Sequence, residues 1–225
     1  MTAKDKPMPM PLTFRLPLRL AQLMAGLTGY AVSISLMLKA GLGNQPWDVF
    51  HQGIALKTGL SIGTVLVIAG AVVLLCWIPL RQRPGIGTIS NILVIGVVVD
   101  LVNTFLPTPG HLAVRWLFLI GGIVLCGAAS GLYIGANLGP GPRDGLMTGL
   151  AARSWSLRGW RTVIEIAVVA IGVILGGRAH IGTILYALAI GPLAQFFLPM
   201  FTIRPAARTP EPLSGEVVGA TAQVS

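Results

Sequence analysis

The sequence predicts an all-α polytopic membrane protein, with six transmembrane helices arranged as two inverted three-helix repeats. Each repeat is expected to carry a short broken or re-entrant helix. Three observations lead there. Of 225 residues, 54% are hydrophobic and only 10% are charged, against about 25% charged in an ordinary soluble domain. Apolar runs recur at about the 18 residues or more that a helix needs to cross roughly 30 Å of hydrocarbon. The stretch Leu42-Gly43-Asn44-Gln45-Pro46-Trp47-Asp48 also returns as Leu138-Gly139-Pro140-Gly141-Pro142-Arg143-Asp144, ninety-six positions on.

Taken in order, residues 1–16 hold Pro and Lys and read as a disordered cytoplasmic N-terminus. The first apolar run, Leu18–Leu38, is long for a secretory signal and reads as a retained span. Further spans are expected at Ile62–Leu80, Ile86–Leu106, Leu112–Ala136, Thr162–Gly176 and Ile181–Met200, the Thr162–Gly176 span being short, with Leu157 and Trp160 as alternative starts. Between them, Trp47–Thr58 and Asp144–Ser154 are too short or too polar to cross alone. Each opens on Pro-x-Asp, a pattern that places a carboxylate at a helix start. The first repeat is thus assigned to residues 17–107 and the second to 108–202. A disordered cytoplasmic tail over 203–225 completes the chain.

The repeat extends beyond the acids. Ile86-Gly87-Thr88 matches Ile181-Gly182-Thr183, Leu93-x-Ile95-Gly96 matches Leu188-x-Ile190-Gly191, and Gly26 matches Gly122. Basic residues set the expected orientation, since Lys and Arg accumulate on the cytoplasmic side. With both termini cytoplasmic, Lys4, Lys6, Arg15, Arg19, Arg81, Arg83, Arg143, Arg153, Arg158, Arg161, Arg204 and Arg208 lie inside. Only Lys39, Lys57, Arg115 and Arg178 lie outside. The formal charge of +9 therefore reads as topology signal and lipid contact, not as nucleic-acid binding.

Polar residues in such a chain are the functional candidates. Asp48 and Asp144 form a repeat-related pair, either capping their helices or binding a cation, an amine or a proton. Arg143 stands beside Asp144, where it is expected as a structural ion-pairing residue that neutralises that acid; the first repeat has Trp47 at the matching position. Asp100 and Glu165 sit within apolar runs. Arg161 precedes Glu165 by one helical turn, so a structural ion pair is the competing reading for that acid. Asp100 shares a helix face with Asn103, and Asn91 comes earlier on the same span. His51 and Gln52 follow Asp48; a histidine with a reference pKa near 6.5 can carry protons. Asp48, His51, Gln52, Asn91, Asp100, Asn103, Asp144 and Glu165 make up the candidate substrate or proton pathway.

Cys76 and Cys126 read as small core residues, and neither has a metal-binding partner in sequence. No catalytic residues, metal site or cofactor are expected. The Gly-x-Gly patterns lack the context of a phosphate loop, and Gly127, Gly131 and Gly135 mark a close-packing helix face. An enzyme is not expected, although the intramembrane acids leave lipid chemistry open.

Several segments together resemble the YczE/YyaS/YitT-like bacterial integral membrane proteins, with the YczE-type branch closest. They are Gly41-Leu42-Gly43 through Pro46-Trp47-Asp48-Val49, His51-Gln52-Gly53, Thr58-Gly59-Leu60-Ser61-Ile62-Gly63-Thr64 and Arg83-Pro84-Gly85-Ile86-Gly87-Thr88. The resemblance covers about Leu18 to Met200. It implies a multi-pass protein of the bacterial inner membrane and brings no substrate with it. The residues favour a small secondary transporter or exporter, proton-coupled through the acids, because repeats and broken helices are common in such proteins. A passive channel and a non-transporting protein that stabilises a partner are the alternatives. The partners expected are membrane lipids, a small cationic, amine or amphiphilic substrate, and a second copy or another membrane protein. No nucleic acid is expected.

Overall fold

The computed structural model describes residues 15–153 and 156–203. The tails expected to be disordered, apart from their innermost residues, lie outside that range. Among the described residues the chain forms eight helices. They are α1 (Leu16–Ala40), α2 (Pro46–Thr58), α3 (Ile62–Leu80), α4 (Ile86–Phe105), α5 (Leu112–Gly135), α6 (Pro142–Ala151), α7 (Leu157–Ile174) and α8 (Ile181–Phe201). Five of them, α1, α3, α4, α5 and α8, are long and apolar enough to cross a membrane.

This corrects the expectation of six transmembrane helices in two three-helix repeats. The span expected at Thr162–Gly176 belongs to α7, which starts earlier, at Leu157. Its start is set by Ser156, whose hydroxyl accepts the Gly159 amide at 3.1 Å. The helix then carries Arg158, Arg161 and Glu165 within 18 residues, too many charges for an ordinary span. The short segments are complete helices that begin on Pro46 and Pro142. Proline suits that first helical position because its missing N–H has no partner to lose there. Each half therefore contains four helices: long, short, long, long.

The two halves hold each other through matching contacts. Near the start of α1, buried Arg19 donates to the carbonyl oxygens of Ala136 and Asn137, just past the end of α5, at 2.8 and 2.6 Å. Near the start of α5, Arg115 donates to those of Ala40 and Gly41, at the end of α1, at 2.6 and 3.1 Å. Helix ends leave carbonyls unpaired, and each arginine supplies the missing donors to the other helix. The α1–α5 pair is thus antiparallel.

Its crossing is made close by the matched glycines. A Cβ on Gly26 would stand 2.6 Å from the Tyr133 backbone nitrogen, and one on Gly122 2.8 Å from Met37 Cγ. The loops exchange in the same way. The Gly87 amide donates to Leu138 O at 2.9 Å, and the Gly182 amide to Leu42 O at 2.8 Å. The face formed by Gly127, Gly131 and Gly135 receives Leu193, Phe197 and Phe201 of α8. Cys126 is buried as expected, whereas Cys76 lies exposed on α3, on a different face from its buried neighbour Trp77.

Candidate functional site: a charged cavity between the two short helices

Gln45, which precedes α2, accepts a hydrogen bond from Tyr30, midway along α1, at 3.0 Å. The chain leaving α1 therefore turns back along that helix before α2 begins. Asn44 and Gln45 are both 2% exposed, as irregular backbone must be if it is covered by protein at membrane depth. The start of α6 meets the start of α2. The Arg143 guanidinium lies 4.9 Å from the centre of the Trp47 ring, and its Nη2 is 3.9 Å from Asp48 Oδ1. Trp47 and Arg143 occupy the same position in the two copies, so the repeated helix starts touch through equivalent residues.

Beside this contact lies a cavity of about 80 Å³. Its polar and aromatic lining is Tyr30, Trp47, His51, Asn91, Tyr133 and the Arg143–Asp144 pair, while α3 and α4 supply its apolar wall. Asp48 sits behind Trp47 and His51 and is only 1% exposed. Gln45 donates its side-chain amide to Asp48 Oδ2, and His51 Nδ1 lies 3.2 Å from Oδ1. Burial pushes the His51 pKa below the ordinary histidine value, and the hydrogen bond to Asp48 opposes that shift. Asp144 is exposed at the open side of the cavity and accepts a bond from the Tyr133 hydroxyl at 3.1 Å. The rings of Tyr30 and Tyr133 meet edge to face, 6.0 Å apart at 88°. Trp77 steadies α6 from beneath, donating its indole N–H to Pro142 O at 3.0 Å.

The candidate residues thus divide. His51, Asn91 and Asp144 line the cavity, Asp48 lies behind its wall, and Arg143 lines the cavity and reaches toward Asp48 instead of serving Asp144 alone. Gln52 turns away and accepts from Asn44 Nδ2 at 3.1 Å and the Arg178 amide at 2.8 Å. Asp100 accepts the Gly63 amide at 2.8 Å and the Ser61 hydroxyl at 2.5 Å, so it caps α3. With Asn103 it lines a separate open groove. Glu165 pairs with Arg161 at 2.9 Å on the outer part of α7. Tyr30, Gln45, Trp47 and Tyr133 complete the site without having been singled out as pathway residues. Their signal was scarcity: the chain has only 3 tyrosines, and two line this cavity. Among the described residues no cluster of His, Cys, Asp and Glu has the arrangement of a metal site.

A model described as a family of unknown function (DUF6198) matches residues 17–199, which is almost the whole helical region. The chain belongs to this family. It is 40% identical over 177 residues to an "Uncharacterized protein" of Haemophilus influenzae, covering 78% of this chain and 81% of the relative. It is 34% identical over 178 residues to the "Uncharacterized membrane protein YczE" of Bacillus subtilis, covering 78% and 83%. The "Uncharacterized protein YyaS" of the same organism is 28% identical over 183 residues, covering 78% and 90%. No solved structure matches. The protein is accordingly a bacterial multi-pass membrane protein of the YczE/YyaS-related family, and its five long apolar helices suit contact with membrane lipid.

Proposed function

We propose that the protein is a small proton-coupled secondary transporter whose substrate and proton meet at the cavity between α2 and α6. One observation carries the reading. One carboxylate, Asp144, and the Arg143 guanidinium line a cavity at the junction of two repeated short helices of an otherwise apolar chain, with a second carboxylate, Asp48, buried behind its wall. Ionisable groups inside membrane proteins are costly and mark pathways, and transporters place their sites where discontinuous helices of two repeats meet. The cavity far exceeds the ~10–15 Å³ that one water needs. Asp144 is the exchangeable carboxylate, because it is exposed and has a neutral phenol as its hydrogen-bond partner. Asp48 is held by Gln45, His51 and Arg143 and fixes the local charge. The substrate class this arrangement supports is a small cation or amine.

The test is proton flux in pyranine-loaded proteoliposomes with an imposed pH gradient. Methylammonium, choline and tetramethylammonium are offered in turn. Substrate-dependent flux is expected in wild type, reduced at least tenfold in Asp144→Asn and retained in Glu165→Gln. Undiminished flux in Asp144→Asn, or none in correctly inserted wild type with any of the three, would reject the reading.

A further inference from the structure

The guanidinium of Arg143 occupies a place that has the chemistry of a cation-binding site. It lies over the face of Trp47, within the ~6 Å at which a ring quadrupole attracts a cation. A carboxylate, Asp48, stands at its other side. Two more aromatic rings, Tyr30 and Tyr133, line the same cavity at right angles to each other. Aromatic walls with a nearby carboxylate are the recognised surroundings of quaternary ammonium groups. Here the occupant is supplied by the protein itself.

We propose that Trp47 and Asp48 form an organic-cation site for which Arg143 is a tethered competitor, so that an alkylammonium or quaternary ammonium ion binds by displacing the guanidinium. The inference rests on the same cavity as the transport reading, and names how its substrate is admitted.

Three further features support displacement. A tight Arg–carboxylate bond is about 2.7–2.9 Å long, whereas Arg143 stands 3.9 Å from Asp48, so the contact is loose. Arg143 is 23% exposed while Asp48 is 1% exposed; the cation has a way out and the carboxylate has none. Asp48 keeps Gln45 and His51 as partners when Arg143 leaves, so its burial does not depend on the guanidinium alone. An incoming cation would restore the charge balance that Arg143 gives up. Exchange of one monocation for another at a fixed carboxylate couples arrival of the ligand to movement at the start of α6. The carboxylate of Asp144, next in the chain, is exposed and lines the same cavity.

The experiment is titration of the full chain in nanodiscs with tetramethylammonium chloride, read by calorimetry against sodium chloride. Arg143→Ala is expected to bind tetramethylammonium at least tenfold more tightly than wild type, and Arg143→Ala with Asp48→Asn to lose that gain. In wild type, phenylglyoxal modification at Arg143, read by peptide mass spectrometry, is expected to accelerate several-fold when tetramethylammonium is added. Equal affinity in wild type and Arg143→Ala would overturn the proposal, as would a gain that survives Asp48→Asn. Should Arg143→Ala fail to fold, the wild-type labelling decides, and unchanged or slower modification overturns it. Binding with this pattern but without proton flux would keep the cation site and remove the transport reading. Flux without displacement would do the reverse.

Discussion

Replacing Arg19 by alanine removes two of the donors that close the end of α5. The two lost bonds, at 2.8 and 2.6 Å, involve a charged donor, a class worth about 1.5–3 kcal/mol each. The residue is 1% exposed, so water does not replace it readily, and at least about 3 kcal/mol should be lost. For a chain of this length 1 kcal/mol shifts the melting temperature by about 2–4 °C, which gives a fall of about 6–12 °C. Arg115 makes the matching bonds at 2.6 and 3.1 Å from a half-buried position. Its loss should cost less, about 1–3 kcal/mol, since solvent reaches the vacated carbonyls. The arginines sit at opposite ends of α1, roughly 30 Å apart by helix rise, so the two losses should add within about 0.5 kcal/mol. Thermal unfolding of purified protein in one detergent, for both single variants and the double, measures all three quantities. An Arg19→Ala protein melting within 2 °C of wild type, or a larger loss from Arg115→Ala, would refute the assignment of these bonds as the clasp between halves.

Two further outcomes follow from the packing and the site. A Cβ on Gly63 would run into the Gly96 carbonyl and lie 2.5 Å from the Asp100 carboxyl carbon, whereas one on Gly191 meets nothing within 4 Å. Gly63→Ala should therefore cost about 1–3 kcal/mol by overpacking while Gly191→Ala is neutral or gains up to about 1 kcal/mol of helix propensity; equal melting temperatures for the two would contradict the α3–α4 contact. His51 has a folded-state pKa lowered by burial, so the unfolded chain takes up its proton first, near pH 6.5. Its contribution to stability is then complete above that pH and declines as pH falls from 6.5 toward the folded value. Melting curves from pH 5 to 7.5 should show a shallower acid decline in His51→Asn than in wild type, and parallel declines would assign the effect elsewhere.

The repeat was legible because glycine, proline and aspartate carry positional meaning at helix starts and close crossings. Pro46 and Pro142, with their acids, announced α2 and α6 for that reason. Arg19 and Arg115 obey the same spacing, yet as charges at span ends they read as topology signals. Their bonds run to carbonyls more than seventy residues away, and backbone acceptors leave no mark in a sequence. The contacts of Asp100 were hidden in a similar way. The residue sits in an apolar run and resembles a buried acid in search of a function, but α4 brings it against the free amide of Gly63 on α3. The start of α7 stayed open between Leu157, Trp160 and Thr162 because hydropathy rises only after Thr162; the Ser156 cap fixes it at Leu157. The cavity itself was not legible, since Tyr30, Trp47, Tyr133 and Arg143 come from four helices and meet only after the halves close.

That closure explains why the two copies differ where they touch. Position two of each short helix faces its own counterpart. Two arginines there would set like charges together beside the paired helix N-termini, which already carry partial positive charge. Two tryptophans would leave the buried Asp48 to its hydrogen bonds with Gln45 and His51, without the guanidinium that stands 3.9 Å away. One of each places a guanidinium on an aromatic face and within reach of the carboxylate. A symmetric pair of identical chains cannot make that choice, because any residue at the contact appears twice. Joining the copies in one chain lets each side of the contact be specified separately. It also makes the acids unequal: Asp48 enclosed and partnered, Asp144 open and held by a phenol.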